Sequence, residues 1–196
     1  MSVDPTRPDH RAAVDEVIDL VTRLAAPGAL NVYDEASCSA LGEGPGTATR
    51  RAEALRRYLD DHWSATTVLV GEAPGQDGAR WTGVPFTSPR QLTGSGPDEP
   101  TARCVQRVLV RLGQADRVLL WNASMLFRPD NLDPRRPELE ASAPALALVT
   151  RGRSVLAVGR HAQRATGAPY LRHPSHGGAK LFEAGLAAAL AGTPGD

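Results

Sequence analysis

The chain has few cysteines and no long apolar run, two features that assign many proteins to a class. It contains two cysteines in 196 residues, Cys38 and Cys104, and neither belongs to a Cys-x-x-Cys pair. Two thiols cannot supply the four thiolates of a usual iron–sulfur cluster, and they are typical of unlinked cysteines in a reducing cytoplasm. No apolar run reaches about 18 residues, and the polar segment MSVDPTRPDH has no signal region. We therefore expect a soluble, cytoplasmic protein.

A net charge is absent as well. The 22 basic residues balance the 22 acidic ones, and Lys180 is the single lysine. This balance gives no general attraction to nucleic acid or to a membrane, but it allows a local basic patch. Hydrophobic residues make up 41% of the chain, which is enough for a sizeable core. Its length favours one domain, which we expect over residues 9–192 after a disordered segment at 1–8.

Apolar segments of two kinds alternate along the chain. Patterns with helical spacing or helix-start signals predict helices over 9–26, 48–62, 101–112, 137–151, 160–166 and 182–190. Pro144 predicts a kink or a division in the fourth of these helices. Short apolar runs predict strands over 66–70, 117–121, 154–158 and 170–172, and residues 29–46 have the composition of a loop. The alternation predicts an α/β fold with a parallel sheet and helices on both faces.

The most informative segment is TTVLVGEAPGQDGARWTGVPFTS, residues 66–88. A β-branched apolar run ends there in a Gly/Pro loop that carries Glu72, and an apolar loop with Phe86 follows. Ligands bind beyond the carboxyl ends of strands in open α/β sheets. The acidic loop and the apolar aromatic loop together therefore predict a pocket for a flat, uncharged ring. A similar segment, GEGPG at 42–46, follows no strand, so we expect a loop with a solvated Glu43.

Two further strands also end in side chains that can take part in chemistry. Asn122 closes the second strand and His173 follows the fourth, so both are expected at the same sheet edge as Glu72. Glu72 has two interpretations: it caps a helix, or it orients a water. The second is favoured, because proline and glycines fix its loop without using the carboxylate.

For the other candidates, structural and chemical interpretations stay open. Asn122 either bonds loop backbone groups or reads the edge of a base. Phe86 either packs in the core or stacks on a base. His173 is either structural or a donor to a leaving-group oxygen. His176 lies three residues beyond it, but no third ligand has convincing spacing, so we expect no metal.

Five segments occur in the order VLVGEAPG, GVPFTS, LLWNA, VLAVG and RHPSHGG. In this order the chain resembles the uracil-DNA glycosylase superfamily over roughly residues 29–190. The resemblance implies a three-layer α/β/α sandwich around a four-stranded parallel sheet. It also implies hydrolysis of the N-glycosidic bond of uracil after the nucleotide is flipped out of DNA, with no cofactor.

The resemblance also implies a role for each matching residue. Glu72 would position or activate the water that attacks the sugar C1′, and His173 would stabilise the departing base through the uracil O2. The base pocket would comprise Gly71, Ala73, Phe86, Asn122 and His173, with Phe86 stacked on the base and Asn122 distinguishing uracil from cytosine. Contacts with DNA would come from Ser88, Pro174, Ser175, His176 and Gly177. The expected partner is single- or double-stranded DNA, and the expected state is a monomer.

The chain departs from the superfamily pattern at several points. It lacks the cysteines with which relatives of this first motif often hold an iron–sulfur cluster. His176 and two glycines stand where many members have a bulky apolar wedge, which favours single strands. Ala73 replaces the aspartate of the best-known members, although Asp77 follows on the same loop. No basic, histidine-containing insertion follows the motif, which argues against the branch that crosslinks to DNA.

Two alternative functions remain open at this point. The first is a glycosylase for another deaminated base, hypoxanthine or xanthine, or for a nucleoside. The second is a catalytically silent module that binds nucleic acid. A dinucleotide-binding domain is disfavoured, because no Gly-x-Gly-x-x-Gly opens the first helix.

Overall fold

A computed structural model of the protein describes residues 10–191. The expected disordered segment at 1–8 and both ends of the expected domain lie outside the described residues. Helices are α1 His10–Thr22, α2 Glu35–Ala40, α3 Thr47–His62, α4 Ala79–Thr82, α5 Pro89–Thr93, α6 Pro100–Arg111, α7 Arg136–Thr150, α8 Arg160–Thr166 and α9 Ala179–Ala191. Strands are β1 Thr67–Gly71, β2 Val118–Asn122, β3 Ser154–Val158 and β4 Tyr170–Leu171. Short 3₁₀ turns span Ala115–Arg117 and Pro129–Asn131.

The four strands form one parallel sheet in the order β2-β1-β3-β4. β1 pairs with β2 from Thr67↔Val118 to Gly71↔Asn122, so the two strands end side by side. Every residue of both strands is buried. Strands that are covered on both faces need continuous apolar sequence, which is why TVLVG and VLLWN do not alternate with polar residues.

Successive side chains of each strand enter two different cores. Val68 and Val70 pack with residues of α1, α3 and α7, whereas Leu69 packs with residues of α6 and α9. Leu119 and Leu120 divide between the two cores in the same way. Helices therefore cover both faces of the sheet, and the predicted three-layer α/β/α sandwich with a four-stranded parallel sheet is confirmed.

The structure adds short helices to the predicted elements and excludes one of the two alternatives at Pro144. Residues 29–46 are not all loop, because they include helix α2, whose first turn is capped by Asp34 through a 2.8 Å bond from the Ser37 amide. Helix α7 runs through Pro144 as one helix and is not divided into two pieces. Short helices of four to six residues carry too few periodic positions to be detected from sequence spacing.

The prediction that Glu43 is solvated is wrong. Arg51 of α3 donates two hydrogen bonds of 2.8 Å to its two carboxylate oxygens. The two side chains are only 4% and 9% exposed, and Arg80 approaches the same carboxylate at 3.7 Å. A buried guanidinium needs a counter-charge, and Glu43 supplies it. The GEGPG segment at 42–46 therefore has a structural role.

The strand order creates a crevice at one edge of the sheet. β1 and β3 are neighbours, but the chain leaves β1 for β2 on one side and leaves β3 for β4 on the other. The segments that follow β1 and β3 therefore diverge, and such switch points are where open α/β sheets bind ligands. Among the described residues, no helix has the length and apolar character that crossing a membrane requires.

Candidate active site

A cavity of about 750 Å³ opens at the carboxyl edge of the sheet. Its walls come from the segments after all four strands and from the start of α6, and they include Glu72, Ala73, Asp133, His161 and His173. The volume lies within the range of roughly 300–1,000 Å³ that is usual for small-molecule pockets. The place where the strand order predicts a ligand is therefore also the place where the structure has room for one.

Glu72 directly follows β1 and is held at both its backbone and its side chain. The Ser124 amide donates to the Glu72 carbonyl at 2.9 Å, which fixes the loop against the end of β2. The carboxylate Oε1 lies 2.6 Å from His161 Nδ1, and the side chain is 28% exposed. Burial raises the pKa of the Glu72 carboxyl, while the hydrogen bond and charge of His161 lower it and Asp133 raises it further. The Glu72 side chain is thus paired with His161 inside the cavity. Among its described contacts there is no hydrogen bond from the first amides of a helix, as a capping role would require.

His161 is one of two residues of this site that the sequence motifs did not predict. It is the second residue of α8, and Gly159, the N-cap of that helix, separates α8 from β3. The signal was available, since GRH follows the third strand just as Glu72 follows the first. Asp133 was missed as well, and its position on a proline-rich loop after β2 gives no such signal. Its Oδ1 lies 3.8 Å from His161 Nδ1.

His173 follows β4 and its ring lies over Gly159. The Ser175 amide donates to His173 Nδ1 at 3.2 Å, and the Ser175 hydroxyl lies 2.7 Å from the same nitrogen. Because Nδ1 accepts a backbone hydrogen bond, we assign the proton of the neutral ring to Nε2. Burial lowers the pKa of His173, and the charges of Arg172 and His176 lower it further. The ring is therefore a neutral group with one N–H left to donate.

Gly71, Phe86 and Asn122 form a compact group at the end of β1. A Cβ atom on Gly71 would lie 2.5 Å from Phe86 Cζ and 2.8 Å from Asn122 Oδ1. Phe86 and Asn122 are 6% and 3% exposed, and neither belongs to the cavity wall. Phe86 also has a φ of 54°, a backbone conformation that non-glycine residues rarely adopt. The structure brings these three predicted residues together, next to the cavity and below its surface.

The predicted DNA-binding residues fall into two sets. Pro174, Ser175 and His176 line the cavity, and Gly177 is exposed directly after them. Ser88 is fully buried, and its hydroxyl donates to Gln91 Oε1 at 2.8 Å. The structure does not bring Ser88 to the surface, and a phosphate contact through its side chain has no support there.

Charged side chains of both signs surround the opening. Arg103, Arg107 and Arg160 are exposed residues that line the cavity, and Arg103 is paired with Asp98. Asp77 and Glu99 lie at the same opening. Burial, with a contribution from the charge of Asp77, raises the pKa of Glu99 to about 7.

One group in the cavity has the composition of a metal site. Glu72, Asp133 and His161 each offer one ligand atom, and these atoms lie within 4.8 Å of one another. Two carboxylates and an imidazole suit several divalent cations. Glu72 and His161 already satisfy each other by a hydrogen bond, however, and the absence of a metal stays a prediction.

The family model for the uracil DNA glycosylase superfamily matches residues 58–189. The chain belongs to this superfamily. Its members are DNA glycosylases, which are hydrolases that act on DNA. The match spans the segments that form the cavity, and it confirms the resemblance seen in the sequence motifs.

Solved structures of the same superfamily resemble the chain. Wild-type SMUG2 of Pedobacter heparinus is 14% identical, with a TM-score of 0.62, and the match covers 91% of this chain and 97% of that one. Wild-type UNG of Nitratifractor salsuginis is 17% identical, with a TM-score of 0.46 and coverage of 93% and 97%. At these identities the SMUG2 likeness supports the glycosylase fold alone. Comparison with the curated proteins gives no match.

Proposed function

We propose that this chain is a monofunctional uracil-DNA glycosylase, which hydrolyses the N-glycosidic bond of uracil flipped out of DNA. One observation carries the proposal: Glu72 and His173, from different strand ends, line one cavity of a chain that belongs to a DNA glycosylase superfamily. Cleavage of this bond needs a water beside an acid on one side of the sugar. It needs a hydrogen-bond donor to the departing base on the other side, and these two residues supply both groups.

Glu72 is the proposed general base. Its carboxylate orients a water so that the water oxygen bonds to C1′ while the bond from C1′ to the base nitrogen breaks. The electron pair of that bond leaves with the base, and the proton of the water passes to Glu72. Proton transfer to a positioned side chain contributes about 10²–10⁴-fold to such reactions.

His173 is the proposed donor to the leaving base. When uracil departs as an anion, negative charge develops on O2, and the Nε2–H of His173 donates to this oxygen. The hydrogen bond from the Ser175 amide to Nδ1 holds the ring in the tautomer that this role requires. The lowered pKa of His173 keeps the ring neutral, so the donor stays available without a charge on the free enzyme.

Gly71, Ala73, Phe86 and Asn122 form the proposed base pocket. Phe86 stacks on the base, and the Asn122 amide bonds the edge that distinguishes uracil from cytosine. Because Phe86 and Asn122 are buried against Gly71, the base must reach the inner end of the cavity to meet them. The missing side chain at Gly71 lets Phe86 and Asn122 pack closely against the end of β1.

The DNA strand is proposed to cross the opening of the cavity. Pro174, Ser175, His176 and Gly177 lie on one side of its path, and the exposed arginines of the opening attract phosphates. His176 and the following glycines offer no apolar wedge to insert into a duplex, so single strands are the preferred substrate. We also propose that the protein acts as a monomer. Light scattering should then give the mass of one chain, 20.8 kDa.

The test is a panel of labelled oligonucleotides, single- and double-stranded, with uracil, hypoxanthine, xanthine or an unmodified base. After incubation with the protein, alkali cleaves the strand wherever a base was released. Cleavage at uracil, fastest in single strands, is the expected result. Cleavage only at hypoxanthine or xanthine would overturn the uracil assignment in favour of another deaminated base. Binding without cleavage of any member would overturn the enzyme in favour of a silent binding module.

A further inference from the structure

We propose that His161 is a positioning residue for the reaction, which fixes the Glu72 carboxylate through Nδ1 and leaves its other oxygen to hold the water. This inference rests on the uracil-DNA glycosylase function proposed above. It adds β3 to the strands that build the site, so that a residue at or just beyond the end of each of the four strands belongs to the catalytic group or the base pocket.

Glu72 and His161 meet across the crevice between the ends of β1 and β3. Glu72 follows β1 and His161 follows β3, the adjacent strands whose connections diverge. The hydrogen bond of 2.6 Å between Glu72 Oε1 and His161 Nδ1 spans this crevice. Both side chains are about 70% buried, at 28% and 29% exposure, so solvent competes weakly for the bond.

The direction of the bond follows from the chemistry of the two groups. An ionised carboxylate only accepts hydrogen bonds, so the proton lies on His161 Nδ1 when Glu72 is ready to act as a base. The Oε1 atom is then occupied, and the second oxygen is the one that accepts from water. A carboxylate held at one oxygen has fewer orientations, which lowers the cost of reaching the reactive geometry.

His161 also decides when Glu72 is ionised. Burial and Asp133 both raise the pKa of Glu72, and among the groups that act on it His161 is the one that lowers it. His173, Arg128 and Arg160 line the same cavity, but their charges are not among the causes of that shift. Loss of His161 therefore leaves Glu72 both less oriented and protonated up to a higher pH.

The test compares three variants. His161→Ala removes the bond, and His161→Asn places an amide N–H near the position of Nδ1. The matched control is His62→Ala, because His62 bonds the Tyr58 carbonyl through its own Nδ1 at 2.9 Å, at the far end of α3. Single-turnover rates of uracil release are measured across pH, together with the Kd for a single-stranded uracil oligonucleotide.

His161→Ala is expected to slow single-turnover release by up to about 100-fold, with an unchanged Kd and an acid limb moved to higher pH. His161→Asn should recover much of the rate, and His62→Ala should behave as wild type. A His161→Ala protein with wild-type rate and pH profile would overturn the inference, as would a loss of rate explained by a weaker Kd.

A second measurement separates this inference from the proposed function. The carboxyl ¹³C resonance of Glu72 is titrated by NMR in wild type and in His161→Ala, with no DNA present. A higher Glu72 pKa in the variant supports the pairing even if wild type releases no uracil, in which case the proposed function alone fails. An unchanged Glu72 pKa overturns the inference even if wild type is active.

Discussion

Gly71→Ala tests the packing of the base pocket by adding a single methyl group. Its Cβ would lie 2.5 and 2.9 Å from two ring carbons of Phe86 and 2.8 Å from Asn122 Oδ1. These distances are too short for non-bonded atoms, so Phe86 or Asn122 must move. Neither has a long, flexible side chain that could move at little cost. Overpacking of a buried site costs about 1–3 kcal/mol. Replacing a glycine lowers the conformational entropy of the unfolded chain, which offsets about 0.4–1 kcal/mol, so the net loss of stability is at most about 2.6 kcal/mol.

For a domain of this size, each 1 kcal/mol corresponds to roughly 2–4 °C in Tm, so a fall of up to about 10 °C is expected. Thermal unfolding followed by circular dichroism measures it. Gly44→Ala is the control, since a Cβ there meets nothing within 4 Å and its φ lies outside the left-handed region. If the pocket assignment is correct, Gly71→Ala also slows uracil release well below the melting range. A Tm at or above wild type, with full activity, would refute the contact of Gly71 with Phe86 and Asn122.

Three further predictions concern protons and metals. Activity should fall on acidification with a limb above pH 4.5, because the pKa of Glu72 is raised and the protonated carboxyl cannot take the proton of the water. A pH–rate profile that stays flat from pH 4 to 7 would contradict this assignment. Glu99→Gln should raise Tm at pH 8 and change it little at pH 4.5, because the buried carboxyl costs stability as pH rises from its ordinary pKa of 4.5 to its folded pKa of about 7, and this loss is complete at pH 8. An equal Tm difference at both pH values would count against the burial of this carboxyl. Dialysis against EDTA should leave the rate of uracil release unchanged, and a loss restored by Zn²⁺ or Mn²⁺ would assign the Glu72, Asp133 and His161 group to a metal.

The architecture was predictable because the strands of a sandwiched parallel sheet must be apolar throughout. TVLVG and VLLWN have this character, and their observed bounds differ from the predicted ones by a single residue. The polar residue directly after such a strand falls at the carboxyl edge of the sheet. This rule places Glu72, Asn122 and His173, and the structure has each of them at that edge.

The features that the sequence did not predict depend on contacts between segments that are distant in sequence. Glu43 looks solvated in the sequence, because the Arg51 that pairs with it belongs to a helix whose orientation is set by packing. His161 lies three residues beyond β3, so the rule for the residue directly after a strand does not reach it. Asp133 reaches the same group from a loop, and loop conformations are the part of the fold that periodicity cannot specify. Burial of Ser88 and Phe86 likewise follows from how the loop after β1 folds back against the sheet.

The single-turnover rate of uracil release by Glu72→Gln measures what the Glu72 carboxylate contributes to the reaction. Glutamine keeps the shape of the side chain but cannot take a proton from water, so the rate should fall by about 10²–10⁴-fold. The Kd for the uracil oligonucleotide should stay within twofold of wild type, and Glu53→Gln, an exposed change on α3, should have no effect. A Glu72→Gln protein that releases uracil at the wild-type rate would contradict the account.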